Sequence, residues 1–304
     1  MSILNSSLSF LLPLFPKWVA RPFAAPYVAG ETLSEAVKIV AGLNASGFQV
    51  TMDILGEHVH SVAEAKEVTK AYLDLYDCIA REKIASTVSL KLTHLGLEID
   101  PQVAEKNLLT ILDKAQEYGN FLRIDMENSP YTDKTLALYR KCRQRYAGVG
   151  TVLQAYLHRT LKDISLLNDP GFNCRICKGI YREPETIAFQ DKNEINRNYI
   201  EAVKDLLDGG SFAAIATHDQ DLISQLETWL LESRIPRDRY EFQVLYGVPM
   251  NGRLEALLNA GHQVRIYVPF GRAWFDYSIR RLKENPKILS YILKNTFKSR
   301  AAYE

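Results

Sequence analysis

Val264-Arg-Ile-Tyr-Val-Pro-Phe-Gly271, followed by Arg272 to Glu284, is a β-rich run closed by proline and glycine and then a helical pattern. β-Branched and aromatic residues suit a strand, and Pro269 and Gly271 punctuate its end. In the helical stretch Tyr277, Arg280, Arg281 and Glu284 fall at spacings that share one face. Two guanidiniums there form a fork suited to a carboxylate or phosphate, against the plainer reading of a solvated basic helix. The same unit repeats upstream. Candidate strands are Phe48–Ile54, Thr87–Lys91, Phe121–Met126, Thr151–Tyr156, Arg175–Ile180, Ala213–Thr217, Glu241–Leu245 and Gln263–Val268. Helical patterns cover 61–83, 101–118, 132–145, 160–168, 194–208, 219–232, 251–260 and 272–284. Asp100-Pro101, an N-cap followed by proline at N1, and Gly119 bracket the second of these helices.

Strand–helix units without hairpins require parallel pairing through right-handed crossovers. Eight in roughly 240 residues predict a (β/α)8 TIM-type barrel, an α/β fold, rather than an open doubly wound sheet. No linker or low-complexity segment divides residues 46–304, and residues 1–45 are expected to form an additional N-terminal helical segment packed on the barrel.

The 304 residues are 47% hydrophobic and 24% charged with a net charge of +1, an ordinary globular balance without the basic footprint of a nucleic-acid binder. Cys78, Cys142, Cys174 and Cys177 are too few for a disulfide framework, which points to a reducing, cytoplasmic setting. Cys174 and Cys177 have CxxC spacing, but in a strand they face opposite ways, and no second ligand pair completes a metal site. Ile3 to Phe15 is apolar, lacks the basic leader of a signal peptide, is too short to span a bilayer and is interrupted at Pro13. It reads as a helix packed on the main domain or as an interfacial anchor, peripheral on the inner face of the cell membrane.

Barrels carry function at the carboxyl ends of their strands. Those ends hold Asp53 and Glu57, Lys91, Asp125 and Glu127, Gln154 and Tyr156, Lys178 and Tyr181, Thr217 and His218, Tyr246, and Tyr267. Charges at strand ends are costly to bury unpaired, so this set implies a polar pocket. No nucleophile with an adjacent base is present, which favours binding an anionic small molecule beside a cofactor that carries the chemistry. No GxGxxG follows a strand, so a dinucleotide would not be held in Rossmann fashion. His58-Val-His60 with His218 suggests a metal-dependent hydrolase, but such a site wants an aspartate at strand eight, where Tyr267 stands, so no metal is assigned. Lys91 or Lys178 as a Schiff-base lysine is set against paired ammonium groups among so many carboxylates.

Leu55-Gly-Glu57, Ser89-Leu-Lys-Leu92, Leu122-Arg-Ile-Asp-Met-Glu127, Arg175-Ile-Cys-Lys-Gly-Ile-Tyr181, Thr217-His218, Arg265-Ile-Tyr267 and Tyr277-Ser-Ile-Arg-Arg-Leu-Lys-Glu284 resemble, in order and spacing, the proline dehydrogenase family, in its compact monofunctional bacterial form. The resemblance implies an FAD-dependent enzyme that oxidises L-proline to Δ1-pyrroline-5-carboxylate and passes electrons to a membrane quinone. It implies that Lys91, Arg280 and Arg281 hold the substrate carboxylate, that Tyr181 and Tyr267 wall the ring with Leu245 and Tyr277 nearby, and that Glu57 and Glu284 pair with the arginines. Arg175 would sit by the flavin N5 and Asp125 would order the site, these two being the catalytic candidates. Met126, Gln154, Cys177, Lys178, Gly179, Lys192, Thr217 and His218 would contact the cofactor. Cys177 and Ile180 depart from the valine and alanine usual in the family, and Tyr267 argues against a hydroxylated proline ring. A non-catalytic barrel would have lost one of these contact residues, and none is lost.

Overall fold

The structure, a computed structural model, describes residues 27–275 and 277. Eight strands, β1 (Gln49–Ile54), β2 (Ser86–Leu90), β3 (Leu122–Ile124), β4 (Val149–Gln154), β5 (Asn173–Cys177), β6 (Phe212–Ala216), β7 (Tyr240–Leu245) and β8 (Val264–Phe270), close into a barrel in sequence order. Each is parallel to the next, and β8 returns to β1 with Gln49 opposite Arg265 and Ile54 opposite Phe270. The helices are α1 (Leu33–Ala45), α2 (Val62–Glu82), α3 (Pro101–Glu117), α4 (Thr132–Arg145), α5 (Thr160–Leu167), α6 (Lys192–Asp208), α7 (Gln220–Glu232) and α8 (Arg253–Asn259).

Local chemistry sets the helix ends. Asp100 caps α3 by accepting from Gln102 N at 2.8 Å, and Pro101 takes the position whose N–H has no helical partner. Thr32 and Glu35 form a capping box at α1. That helix packs against β1 and β8, and Asn44 at its end bonds Phe48 O and Ala85 O, at 2.9 and 3.2 Å. Just upstream, Ala29 N donates to Pro269 O at 2.9 Å, and Trp274 Nε1 donates to Glu31 Oε1 at 3.0 Å.

Period-two alternation divides each strand. Val50, Met52, Leu90, Ile176, Phe242 and Ile266 face the helices in one core cluster with Tyr72, Ile111, Tyr199 and Leu226. Burying each such side chain contributes roughly 1.5–3 kcal/mol, so the core lies between barrel and helices. The intervening positions point inward and are mostly polar: Thr51 and Asp53, Ser89, Arg123 and Asp125, Arg175, Glu241 and Gln243, all buried.

Several element boundaries differ from the sequence pattern. β3 stops at Ile124, where Asp125 N turns to Leu90 O at 2.8 Å. β4 and β5 start and end earlier than expected, because Leu157 N folds back to Gln154 O at 3.0 Å and Gly179 takes φ +109°. β8 runs on through Pro269; pairing with β7 has already ended at Tyr267, so the missing N–H breaks nothing on that side. α6 begins at Lys192 rather than 194 because Asp191 caps it, and α8 begins at Arg253 because Asn251 and Gly252 have positive φ. Of the expected closing helix, only residues up to 275 and Tyr277 are described. Arg280, Arg281, Glu284 and the Ile3–Phe15 stretch lie outside the described residues.

Candidate active site

The carboxyl ends of the strands surround a cavity of about 400 Å³ lined by Glu57, Lys91, Asp125, Met126, Gln154, Arg175, Cys177, Lys178, Gly179, Tyr181, Thr217, His218, Leu245, Tyr267 and Tyr277. Every strand end thus contributes to one cavity, the seventh through Leu245 rather than Tyr246, while Asp53, Glu127 and Tyr156 stand behind its wall. Lys192 lies beside the cavity on Asp219, 3.3 Å from its carboxylate, which also takes Lys178 at 2.7 Å. Asp219 caps α7, and although burial opposes it, the hydrogen bond from Lys178 and that ammonium's charge bring its pKa down to about 2.

Asp125 is the hub. Its Oδ1 accepts from Arg175 Nη1 at 2.8 Å and Ser89 Oγ at 2.5 Å, and its Oδ2 accepts from Tyr267 OH at 3.0 Å. Lys91 Nζ is 3.5 Å from the same carboxylate and 2.9 Å from Asp53, whose other oxygen takes Tyr72 OH at 3.4 Å. Burial alone would raise Asp125, but the Arg175 and Lys91 charges hold it below the usual carboxylate range. Asp53 goes the other way because burial outweighs Lys91. Burial also opposes charge on Lys91, yet Asp53, Asp125 and Glu57 together keep its ammonium well above its ordinary value. A lysine so held is a cation rather than a Schiff-base nucleophile. The guanidinium of Arg175 lies 5.1 Å from the Tyr267 ring centre, a cation–π contact that fixes both.

Two buried polar atoms of residues that line the cavity, Arg175 Nη2 and Gln154 Oε1, have no partner among the described residues. Gln154 Nε2 donates to Glu127 O at 2.8 Å, which requires the amide nitrogen on that side and leaves the oxygen as the unpartnered atom. Glu127 is itself fixed by Thr93, through its N at 3.1 Å and Oγ1 at 2.6 Å. His218 Nε2 accepts from Leu245 N at 2.9 Å, which sets the imidazole tautomer with the proton on Nδ1. At Gly179 a Cβ would overlap the Tyr156 ring, so the turn carrying Lys178, Ile180 and Tyr181 needs glycine twice over, for space and for φ.

The alternatives separate on geometry. Cys174 and Cys177 are free thiols; burial pushes them up to about 12 and about 11, so neither is a thiolate. His58 pairs with Glu98 at 2.8 Å, and no cluster of three metal-ligating side chains occurs among the described residues. Gln243, Glu241, Asp219 and His94 are site or supporting residues that the strand-end pattern does not single out; the alternation Glu241-x-Gln243-x-Leu245 was the available signal for the first two.

His94, buried behind Lys91, has its pKa lowered to about 4, by burial first and by Lys91 second. Unfolded, it would protonate near 6.5, so between these values the unfolded state binds more protons and stability falls as pH drops. Urea unfolding at pH 7 and pH 4.5 should show wild type losing about 2 kcal/mol more than His94→Gln. Equal losses would refute the assignment.

The fold and the site define a TIM-type barrel with a charged pocket at the carboxyl ends of its strands. The family model described as "Proline dehydrogenase" matches residues 36–292. Proline dehydrogenase 1 of Bacillus subtilis subsp. natto is 39% identical over 275 residues, 90% of this chain and 91% of that protein. Proline dehydrogenase 2 of Bacillus subtilis strain 168 is 36% identical over 96% of each chain, and the Deinococcus radiodurans proline dehydrogenase is 35% identical over 90% of each. The crystal structure of proline utilization A from Bdellovibrio bacteriovorus, inactivated by N-propargylglycine, superposes with a TM-score of 0.80 at 24% identity. It covers 87% of this chain and 32% of its own, a likeness of fold. This chain belongs to the proline dehydrogenase family.

Proposed function

We propose that this chain oxidises L-proline to Δ1-pyrroline-5-carboxylate, the first step of proline catabolism, with FAD as its cofactor and a membrane quinone as the final electron acceptor. The observation that carries the reading is the cavity wall itself. Two residues that line a space large enough for a ring system, Arg175 and Gln154, each keep one buried polar atom without a partner among the described residues, a donor N–H and an acceptor oxygen. That donor and acceptor pair fits the polar edge of an isoalloxazine, and bound FAD would supply the two-electron acceptor for the hydride from proline C5.

The residues of the chain do the rest. Lys91 attracts the substrate carboxylate, and Arg280 and Arg281 are assigned to complete that clamp with Glu57 and Glu284 as their partners. Tyr181, Tyr267, Leu245 and Tyr277 enclose the apolar ring and exclude water from the reacting bond. Arg175 places positive charge where electron density accumulates. Met126, Cys177 and Gly179 line the flavin side; Lys178, Lys192, Thr217 and His218 are assigned to its phosphates and adenosine.

The same reading takes residues 1–45 as a helical segment on a barrel of residues 46–304, and a cytoplasmic enzyme that meets its quinone at the membrane face. No helix among the described residues is long and apolar enough to cross a membrane; the apolar stretch Ile3–Phe15 is assigned the membrane contact on its composition. Deleting it should reduce sedimentation with lipid vesicles; unchanged binding would move the contact elsewhere. The central test is the visible spectrum of the purified protein, expected to show a flavin band that bleaches on adding proline. A colourless protein inert to proline would overturn the reading.

A further inference from the structure

Arg175 is held along two of its three edges. Nη1 donates to Asp125 at 2.8 Å and Nε donates to Gln243 Oε1 at 2.6 Å, which leaves Nη2 as the donor without a partner among the described residues. Gln243 has no freedom of its own. Its Nε2 donates to Glu241 Oε1 at 2.5 Å, and both oxygens of Glu241 lie 2.9 Å from Arg265 Nε. Arg265 is anchored in turn, through Nη1 to Val50 O and through Nη2 to Gln49 Oε1, each at 2.8 Å. Gln243 and Glu241 are 3% and 2% exposed, so water does not compete for these bonds.

A carboxylate only accepts, so Glu241 dictates that the Gln243 amide turns its NH2 downward and its oxygen up toward Arg175. The link carries direction without charge. Among the described residues Arg175 therefore has one carboxylate partner, Asp125, and shares it with Lys91. A glutamate at 243 would satisfy the same Nε–H but would add a second negative charge to the guanidinium.

We infer that Gln243, oriented by Glu241 and Arg265 from the barrel interior, is a positioning residue for the reaction: it fixes the plane of the Arg175 guanidinium and keeps that cation under-neutralised toward the pocket. The inference rests on the proposed flavin-dependent reading of the site. It predicts different results for two near-isosteric variants. Gln243→Met removes the acceptor and adds no charge, so the guanidinium loses one edge of its frame. Gln243→Glu keeps the acceptor, neutralises the cation and sets two carboxylates side by side.

The experiment measures flavin midpoint potential and steady-state kinetics with proline for wild type and both variants. For Gln243→Met, kcat is expected to fall about tenfold with KM for proline within about twofold of wild type, as for a loosened group that acts after binding. For Gln243→Glu, the potential is expected to shift to a more negative value than in either wild type or Gln243→Met, because the anionic reduced ring then meets a neutralised arginine. Wild-type kcat in Gln243→Met, or a wild-type potential in Gln243→Glu, would overturn the inference while leaving the flavin reading intact. A wild-type protein that carries no flavin would overturn both, and the spectrum distinguishes the two failures.

Discussion

Asp125→Asn is expected to lower kcat/KM for proline by roughly 10²–10³-fold and to destabilise the protein by about 3 kcal/mol. Both oxygens of Asp125 accept only: one from Arg175 and Ser89, the other from Tyr267 and Lys91. An asparagine has a single acceptor oxygen, so its NH2 must face donors on one side or the other, whichever way it turns. The substitution also deletes the negative charge that Arg175 and Lys91 share, leaving Lys91 with Asp53 and Glu57 and Arg175 without an ion-pair partner among the described residues. Rotation of either cation moves the unpartnered N–H of Arg175 or the ammonium proposed to hold the substrate carboxylate. Steady-state kinetics and urea unfolding check the two numbers; a loss under about fivefold in kcat/KM would show that the carboxylate is not the hub.

Gly179→Ala should be the second large effect. With φ +109° and the Tyr156 ring where a Cβ would go, alanine must displace a side chain that is 6% exposed and packed beneath the rim. The cost is about 2–4 kcal/mol from strain and overpacking together. Because Lys178, Ile180 and Tyr181 ride on the same turn, the purified variant should also contain little flavin. Gly119→Ala is the control: it too has positive φ, at +61°, but open space around the Cβ, and should cost no more than about 1 kcal/mol with full flavin content. Measuring the flavin-to-protein ratio and thermal midpoint of both variants tests the contrast, and equal behaviour would remove the steric argument.

The barrel was legible because its units repeat: a β-rich run, a polar loop and an amphipathic helix leave few topologies open. The site was legible in outline because strand ends are countable positions, so Lys91, Asp125, Gln154, Lys178, Thr217 and Tyr267 could be placed at one rim before any coordinates. What the sequence does not carry is partner choice. Gln243 sits one pleat below its strand end, and its value depends on Arg175 arriving from β5 across the barrel interior. Asp219 stands in the sequence as the first residue of a helical pattern, and only the turn after β5 and the start of α6 bring two lysines to it. Strand boundaries moved for a similar reason: β8 continues through Pro269 because β1 extends beyond β7 beside it, a fact about neighbours rather than about proline.

One consequence follows from α1. A ring of strands has a seam where last meets first, and here the flank of β8 and β1 is upholstered by a helix that precedes the first strand. Residues 29–31 stitch the same seam near its top, through Pro269 and Trp274. Just after β8, Trp274 packs on Val28 and Leu55 while Tyr277 lines the cavity. The seam and the segment that leads to the cavity are thus fastened to each other at Trp274, so a change at Val28 or Glu31 acts on both.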